Sequence, residues 1–356
     1  MQHAAQAAAP NPVPNPVPNP VPNSAQTPAP ITPVSVVIAT LGERKELLRQ
    51  AIDSILGQKD AAGQPWPVEL LVIIDRRAQA PGTGAAPATS GAAERAELPT
   101  FEDVVVPEGS SLRVMPNART RGLAGGRNTG IVAASHPLMG FCDDDDSWLP
   151  GKLAAQVALA HAHPDSVGFG GTVVVRTEGK DIVKATPERV RFAELLRSRV
   201  HELHPSAMLY RRQALLGSVG LVDEELPHGY GEDYELLLRM AREADIISAT
   251  EPIIRVLWDR PSYFDAGWRN MAEGLSYLLR KFPEFEQDPV GLARIAGQVA
   301  YAHAALGERK AALAWARSAL RRDPKQLRAW AALVVAARLL PAATLLKIVQ
   351  RSGHGL

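Results

Sequence analysis

The stretch MGFCDDDDSWLP, residues 139–150, places four consecutive carboxylates between a short apolar run and a tryptophan. The apolar run is typical of a buried strand, and open α/β sheets bind ligands at the carboxyl ends of such strands. Along an extended chain, Asp143 and Asp145 would face one side and Asp144 and Asp146 the other. Two carboxylates about 4 Å apart repel by roughly 4 kcal/mol at an effective dielectric near 20, whereas a bound divalent cation makes the arrangement favourable. The stretch predicts a metal site at a strand end, with an exposed acidic turn as the alternative.

The composition of the 356-residue chain is that of a soluble globular protein, with 46% hydrophobic and 22% charged residues. Lysine and arginine total 39 against 38 aspartate and glutamate residues, so nucleic acid is not expected as a partner. The single cysteine, Cys142, rules out an internal disulfide and fits a reducing cytoplasm. The sequence shows neither a signal peptide nor about 20 consecutive apolar residues, which predicts a cytoplasmic protein with at most peripheral membrane contact.

Three segments are expected along the chain. Residues 1–32 include NPVPNPVPNPVPN, where proline removes amide donors at every second position, and predict a disordered tail. Residues 33–265 combine near-continuous apolar strands with amphipathic helices, which predicts an α/β fold with a mostly parallel central sheet flanked by helices. Within this domain, residues 78–100 are rich in small residues without periodicity and predict a surface insertion. Residues 266–356 are predicted to form a helical C-terminal region.

The predicted helical region has small residues and a proline at the offsets of a tetratricopeptide unit of about 34 residues. These residues are Gly307, Ala312, Ala319 and Pro324. Ala316 occupies a position where such a repeat usually carries a larger residue, so a plain helical hairpin packed on the domain is an equal alternative. Either arrangement offers a surface for a protein partner or for self-association.

A second acidic element, HGYGEDYELLLRM, places Glu232 and Asp233 after two glycines at the start of an apolar helix. Helix N-termini favour negative charge by up to about 1 kcal/mol, which would explain one of the two as an ordinary cap. This explanation does not account for the glycine-rich approach. The element therefore stands beside the aspartate run as a second candidate for the active site.

Five motifs, taken in chain order, resemble those of family 2 glycosyltransferases with the GT-A fold. The resemblance covers about residues 35–263 and depends most on the aspartate run and the GED motif. It implies a GT-A nucleotide-diphospho-sugar transferase fold, a nucleotide-diphosphate sugar donor, an acceptor of unknown identity, and Mn²⁺ or Mg²⁺ as cofactor. The motifs are SVVIATLGER, VELLVIID, RGLAGGRNTGIVAAS, GFCDDDDSWLPGKL and GEDYELLLR.

The resemblance also implies roles for the aspartates. Asp143 and Asp145 correspond to the D-x-D element and to the metal ligands, with Asp145 in direct contact with the ion. Asp143 or Asp144 would lie nearer the ribose of the donor. Asp75 would contact the base, although the chain reads IDRR at residues 74–77, where the family usually has Asp-Asp-Gly-Ser.

Four further residues lie where the family builds its nucleotide pocket. For one of them, Arg127, a helix-surface ion pair is the alternative. The four residues are Thr40, Glu43, Arg127 and Asn128.

The chemistry implied is displacement at an anomeric carbon with inversion, in which an acceptor hydroxyl loses a proton while a nucleoside diphosphate leaves. Asp233, with Glu232 beside it, is the expected general base, and the metal would neutralise the leaving diphosphate. A helix N-terminus lowers the pKa of a carboxylate, whereas nearby aspartates and a closed site raise it, so the net shift of the Asp233 pKa stays open at this point.

Two other functions compete with this interpretation. A nucleotidyltransferase on a related core would be expected to have a glycine-rich basic loop after the first strand, where TLGERKE has one glycine. A non-catalytic adaptor would hold nucleotide in the core and use the helical region to bind a partner. His204 and Trp258 each have a functional and a structural interpretation: His204 near the acceptor or diphosphate, and Trp258 as a stacking surface or as packing between domains. Single-sugar addition is favoured because QLRAW does not match the Q-x-x-R-W signature of processive synthases.

Overall fold

A computed structural model describes residues 31–75, 98–258 and 267–345. Nearly all of the predicted tail, most of the predicted insertion at 78–100 and residues 76 and 77 after the second motif lie outside the described residues. None of the helices in the described ranges combines the length and the apolar character that a membrane span requires.

Within the described ranges, ten strands form one sheet. The strands are β1 Val34–Thr40, β2 Val68–Ile74, β3 Ser111–Pro116, β4 Leu138–Phe141, β5 Ser147–Trp148, β6 Gly168–Thr177, β7 Lys180–Lys184, β8 Arg189–Val190, β9 Leu209–Arg211 and β10 Ile246–Leu257. The α-helices are α1 Lys45–Leu56, α2 Leu123–Ala133, α3 Lys152–Ala162, α4 Phe192–Arg197, α5 Arg212–Leu216, α6 Glu232–Glu243, α7 Trp268–Lys281, α8 Pro289–Ala305, α9 Arg309–Arg322 and α10 Leu327–Ala336.

The strand order β3-β2-β1-β4-β9-β6-β10-β5 creates a crevice beside β1. The four strands from β3 to β4 are parallel, whereas β9 runs antiparallel to both β4 and β6. The chain leaves β1 towards β2 and β3 and then returns to the opposite side of β1 at β4. Such a reversal opens a ligand-binding crevice at the carboxyl ends of the strands. Thr40 ends β1, and the aspartate run follows β4, at this edge.

Both faces of the sheet are buried, as the apolar runs predict. Alternate residues of β2 belong to opposite apolar clusters, with Leu71 and Ile73 in one and Leu70 and Val72 in the other. The apolar face of α1 covers the second cluster, and α2 covers the first. The expected α/β architecture, with a central sheet flanked by helices, is confirmed.

Some element boundaries differ from the prediction because local backbone features intervene. The sequence SWLPGKLAAQVALAHAHP, residues 147–164, predicts one helix, but the helix begins only at Lys152, after the two-residue strand β5 and a left-handed turn at Gly151 with φ of +85°. The sequence PERVRFAELLRSRV, residues 187–200, also predicts a helix, which is limited to Phe192–Arg197 because Arg189 and Val190 pair with β10 instead. Propensity alone does not anticipate such pairing with a distant strand.

The C-terminal helices α7 to α10 confirm the expected helical region. Helix α8 lies between two apolar clusters: Leu292 and Ile295 contribute to the core of the sheet domain, and Ala296 contributes to a separate cluster made mostly of alanines. Ala316, the residue that departs from the repeat pattern, is fully buried in this alanine cluster. The assignment of these helices to tetratricopeptide repeats stays a prediction, as does the domain boundary at residue 265.

Two glycines allow α2 to lie close to β1. A Cβ atom at Gly126 would lie 2.9 Å from the Cβ of Ala39, and one at Gly130 would overlap both γ-methyl groups of Val37. Real side chains do not tolerate such contacts without displacement of the helix or the strand. The glycines of RGLAGGRNTGIVAAS therefore set the distance between α2 and the sheet.

Replacing Gly130 by alanine tests this close packing. We expect the free energy of unfolding to fall by about 1–3 kcal/mol, because overpacking outweighs the better helix propensity of alanine. Urea unfolding followed by circular dichroism measures the change. The matched control is Val132→Ala on the exposed side of α2, with an expected change within about 0.5 kcal/mol. Unaltered stability of the Gly130 variant would contradict the close approach.

Candidate active site

The aspartate run forms a turn, so the alternation expected for an extended chain is wrong. The Cys142 amide still donates to the Val37 carbonyl (3.1 Å), but the Asp146 amide then donates back to the Asp143 carbonyl (3.1 Å). The turn brings the carboxylates of Asp143 and Asp146 together with the imidazole of His204. One ligand atom from each of the three lies within 4.8 Å of the others.

The 3₁₀ turn Pro205–Ala207 holds this group in place. The Ser206 hydroxyl donates to the Asp146 carboxylate (2.6 Å) and accepts from the Asp143 amide (3.0 Å). His204 Nδ1 accepts from the Ser206 amide (3.3 Å) and lies 3.4 Å from Asp146 Oδ2. Burial, reinforced by the charge of Asp143, raises the pKa of Asp146 well above its usual range. Burial lowers the pKa of His204, which favours the neutral imidazole that binds metals.

The donor set of this group fits a divalent cation. Two carboxylates and one imidazole are ligands that Mn²⁺ accepts readily, and carboxylates alone also suit Mg²⁺. Asp146 is buried and Asp143 is half-buried. Two carboxylates this close repel each other, and an ion would supply compensating charge. Asp143, Asp146 and His204 could therefore hold a metal ion. The sequence predicted Asp143 in this role but gave no such role to Asp146.

The other two aspartates of the run contact the end of β1. The Thr40 hydroxyl donates to Asp144, and the Arg44 guanidinium pairs with both Asp144 and Asp145. Burial raises the pKa of Asp144 even though Thr40 and Arg44 oppose the shift. Glu43, predicted for the nucleotide pocket, is exposed, and its neighbour Arg44 makes the contact with the aspartates. The predicted metal contact of Asp145 stays a prediction.

Arg127 connects the aspartate turn with the second acidic element. Its guanidinium donates to Asp143 (2.9 Å) and to Glu232 (2.7 Å), and it lies 5.2 Å from the centre of the Phe141 ring. The residue is only 3% exposed, so the alternative of a helix-surface ion pair is wrong. Because Arg127 is on α2 and Glu232 begins α6, one buried cation joins two helices and the end of β4.

Glu232 and Asp233 have pKa values shifted in opposite directions. Burial raises the pKa of Glu232 to about 7, with Arg127 opposing the shift. Burial would also raise the pKa of Asp233, but its ion pair with Arg199 and the Tyr234 amide hold that pKa below its usual range. The direction of the Asp233 pKa shift, which the sequence left open, is thus set by neighbouring positive charge. The direction of the Glu232 pKa shift is set by burial.

A small, partly open cleft of about 10 Å³, room for about one water molecule, lies beside these residues. Both acidic elements border it: Glu232 and Asp233 directly, and the aspartate turn through Arg127, which pairs with Asp143. The Asp233 side chain is 19% exposed against 7% for Glu232, so Asp233 is the more accessible of the two carboxylates.

Asp75 and Asn128 fix loops at the same edge of the sheet. Asp75 accepts hydrogen bonds from the Asn117 side chain (3.1 Å) and from the Gly122 amide at the start of α2 (2.6 Å). The Asn128 side chain donates to the Val222 carbonyl (2.8 Å) and accepts from the Val222 amide (2.9 Å). Asn128 is fully buried, and these bonds make it a support for the segment that precedes α6.

Two other residues singled out in the sequence have clear environments. Cys142 is buried, and burial together with the charge of Asp146 raises the pKa of its thiol well above the usual value. Trp258 follows β10 and is 58% exposed, so the alternative of tight packing between domains is wrong. Sequence reasoning missed Arg44, because one arginine in a charged loop has no distinguishing feature before its partners are known.

Comparison with known proteins agrees with this geometry. The family described as Glycosyl transferase family 2 matches residues 90–217. The chain is 26% identical over 89 residues to the UDP-Glc:alpha-D-GlcNAc-diphosphoundecaprenol beta-1,3-glucosyltransferase WfgD of Escherichia coli. This match covers 25% of this chain and 35% of that protein. Over 146 residues it is 23% identical to an uncharacterized glycosyltransferase of Haemophilus influenzae, covering 37% of this chain and 48% of that protein. The chain thus spans between a third and a half of these curated relatives.

Among solved structures, S. aureus TarS 1-349 in complex with UDP-GlcNAc is similar in fold. The TM-score is 0.50 at 17% identity, with 83% of this chain and 89% of that chain covered. The mixed sheet flanked by helices is therefore similar to the GT-A fold. The family match shows that residues 90–217 are similar to family 2 glycosyltransferases.

Glu232 is expected to make the folded state less stable as the pH rises. Its pKa of about 7 in the folded protein exceeds the ordinary 4.5, so the folded state keeps a proton that the unfolded state releases, and stability falls between pH 4.5 and 7. We expect Glu232→Gln to flatten this part of the stability curve, measured by urea unfolding at several pH values. Glu243→Gln, at the exposed end of α6, is the control and should keep the wild-type dependence. An unchanged slope in the Glu232 variant would show that this carboxyl ionises normally.

Proposed function

We propose that this protein transfers a sugar from a nucleotide-diphosphate donor to an acceptor hydroxyl, with inversion and with the assistance of a divalent metal. The observation that carries the proposal is the convergence of two acidic elements on Arg127 at the switch point of the sheet. One element supplies a group of metal-ligand character, and the other supplies a carboxylate on a cleft. Leaving-group stabilisation and proton removal are the two tasks of a displacing transferase.

The donor is expected at the carboxyl edge of β1, β2 and β4. Asp75 follows β2 and Thr40 ends β1 there. The resemblance assigns the base to Asp75 and the ribose to Asp143 or Asp144. Arg44 is a further candidate for contact with the donor. Its guanidinium already lies against Asp144 and can turn to a phosphate. The UDP-Glc in the name of the Escherichia coli relative supports a nucleotide-diphosphate sugar as the donor class.

Asp143, Asp146 and His204 would hold the metal, with Asp145 as the further ligand that the resemblance implies. A divalent ion bound there supplies positive charge that stabilises the leaving diphosphate. The protein's own part is to orient the ligands. Ser206 does this by donating to Asp146, and Arg127 by pairing with Asp143.

Asp233 is the proposed general base. Its lowered pKa keeps the carboxylate ionised at neutral pH, and it is more accessible than Glu232. Glu232 has a pKa nearer neutrality, but its carboxylate is buried against Arg127 and serves to position that guanidinium. The Arg199 pair orients Asp233 and must loosen when the acceptor hydroxyl binds.

Three wider expectations remain proposals. The reaction is placed in the cytoplasm, with at most peripheral membrane contact. The sugar is added singly to an acceptor that the sequence does not identify. The helical C-terminal region is proposed as a surface for a protein partner or for self-association.

A panel of nucleotide sugars with Mn²⁺ tests the activity directly. Release of nucleoside diphosphate or sugar transfer supports the proposal. Pyrophosphate-dependent exchange would identify a nucleotidyltransferase instead. Binding without turnover would identify a nucleotide-binding adaptor.

Asp233→Asn should keep donor binding while turnover falls by about 100-fold or more, because the amide cannot accept the acceptor proton. Nucleotide affinity measured by calorimetry and steady-state rates separate the two effects. Asp245→Asn, in a surface ion pair with Arg189 beyond the end of the same helix, is the matched control and should leave both unchanged. Normal turnover of the Asp233 variant would remove this residue from the base role.

Mn²⁺ binding should depend on the group at the aspartate turn. Asp143→Asn and Asp146→Asn are each expected to weaken Mn²⁺ affinity by about tenfold or more, measured by electron paramagnetic resonance of the free ion. Asp145→Asn tests the further ligand that the resemblance implies, because Asp145 is not part of the group formed by Asp143, Asp146 and His204. The control is Asp53→Asn, a surface partner of Arg49 on α1, which should bind Mn²⁺ normally. Equal affinity in all four variants would place the metal elsewhere.

A further inference from the structure

A buried lysine on α3 lies behind the candidate active site. Lys152 is fully buried, and among the residues that the structure describes it takes part in no ion pair. Its Nζ atom donates to the Gln156 side-chain oxygen (2.7 Å) and lies 4.7 Å from the centre of the Trp148 ring. Burial lowers the pKa of Lys152 to about 7. Packing alone does not explain such a residue, because an apolar side chain would fill the same space at lower cost.

Lys152 fixes the orientation of the Gln156 amide. The amide oxygen accepts from Lys152, so the amide nitrogen points the other way, towards backbone carbonyls. The nitrogen donates to the carbonyls of Phe169 (2.7 Å), Gly170 (3.1 Å) and Ala207 (2.7 Å). A reversed amide would place its oxygen against these carbonyl oxygens and its nitrogen against the lysine. The contact with Lys152 therefore selects the orientation in which Gln156 holds three carbonyls.

The Ala207 carbonyl connects Gln156 with two of the proposed metal ligands. Ala207 ends the 3₁₀ turn that follows His204, and its amide donates to the His204 carbonyl (2.8 Å). Within this turn, Ser206 donates its hydroxyl to Asp146 and its amide to His204 Nδ1. The positions of the imidazole and of one carboxylate therefore depend on where Ala207 is held.

The same lysine supports the end of the aspartate turn. Trp148 ends β5, two residues beyond Asp146, and its buried ring lies against the Lys152 Nζ atom. The face of an indole attracts an ammonium ion. Lys152 therefore contacts the chain that leaves the aspartate turn and, through Gln156, also supports the turn after His204.

We propose that Lys152 and Gln156 are positioning residues, which hold the aspartate turn and His204 at the separation that a divalent metal requires. The inference rests on the metal-assisted glycosyltransferase function proposed above. Replacing the outer hydrogen-bond partners of metal ligands typically weakens metal affinity by about 10- to 100-fold. The ammonium and the neutral amine of a lysine both donate hydrogen bonds, so the contact with Gln156 persists on either side of the lysine pKa.

Binding of Mn²⁺ alone to the full-length protein tests this assignment. Gln156→Met keeps a long side chain of good helix propensity but cannot donate to the three carbonyls, so we expect Mn²⁺ affinity to fall by about tenfold or more. Lys152→Met should weaken it in the same direction, because the Gln156 amide loses its fixed orientation. Electron paramagnetic resonance of the free ion measures both changes. The matched control is Leu153→Ala, fully buried on the same helix, which removes packing only and should bind Mn²⁺ as wild type does.

A second measurement separates positioning from general loss of stability. Electron spin-echo envelope modulation detects a nitrogen bound to Mn²⁺, which the proposal assigns to His204. At saturating Mn²⁺ we expect this nitrogen signal in wild type and in Leu153→Ala, and its loss in Gln156→Met and in His204→Gln. If Gln156→Met does not fold, Gln156→Glu replaces it, because a carboxylate keeps the contact with Lys152 but cannot donate to the carbonyls.

Four results would each overturn the inference. The first is wild-type Mn²⁺ affinity and nitrogen signal in the folded Gln156 variant. The second is an equal loss of both in Leu153→Ala, which would trace the effect to stability. The third and fourth are a missing nitrogen signal in wild type and a signal that persists in His204→Gln, because His204 would then not be a ligand.

The proposed function is measured separately so that the two can fail independently. Wild type that binds Mn²⁺ in a Gln156-dependent way but releases no nucleoside diphosphate from any nucleotide sugar would contradict the glycosyltransferase function and leave the positioning role intact. Metal-dependent sugar transfer that is equally efficient in wild type and Gln156→Met across subsaturating Mn²⁺ concentrations would support the function and contradict the positioning role.

Discussion

The buried guanidinium of Arg127 is the interaction on which the site depends. It pairs with Asp143 after β4 and with Glu232 at the start of α6, and both pairs are largely removed from water. Loss of one partner of a buried ion pair typically costs about 3–5 kcal/mol, because the remaining charge is left uncompensated. The position of Arg127 in turn depends on the glycine face of α2, which lets the helix lie against β1. Backbone packing therefore determines where the two acidic elements meet.

Much of the fold could be predicted because apolar patterns report burial directly. The runs that became β1, β2 and β4 are apolar on both faces, and only a sheet covered on both sides buries them in that way. The amphipathic pattern of α1 was equally informative. Strand order could not be predicted from such patterns, because the apolar pattern of a strand does not say which strand pairs with it. Strand order nevertheless determines that the site lies between β1 and β4.

The candidate site was predictable in residue types but not in side-chain directions. Four aspartates at a strand end suggested a metal, yet which of them point together depends on Ser206, a residue far along the chain that fixes the turn. The pairing of Arg44 with Asp144 and Asp145 likewise depends on tertiary contact between β1 and β4. Asn128 was assigned to the nucleotide pocket by position, whereas its hydrogen bonds go to the backbone of Val222.

Helix α8 has a consequence for how this protein can change over evolutionary time. Its Leu292 and Ile295 enter the same apolar cluster as Tyr234 and Leu237 of α6, and Gly291 lies directly against the backbone of Leu196. Each such buried side chain contributes about 1.5–3 kcal/mol. The C-terminal helices thus share the apolar core of the sheet domain through α8. Replacement of these helices during evolution would remove apolar surface against which α6 packs. The core around α6, which carries Glu232 and Asp233, would then have to be repacked.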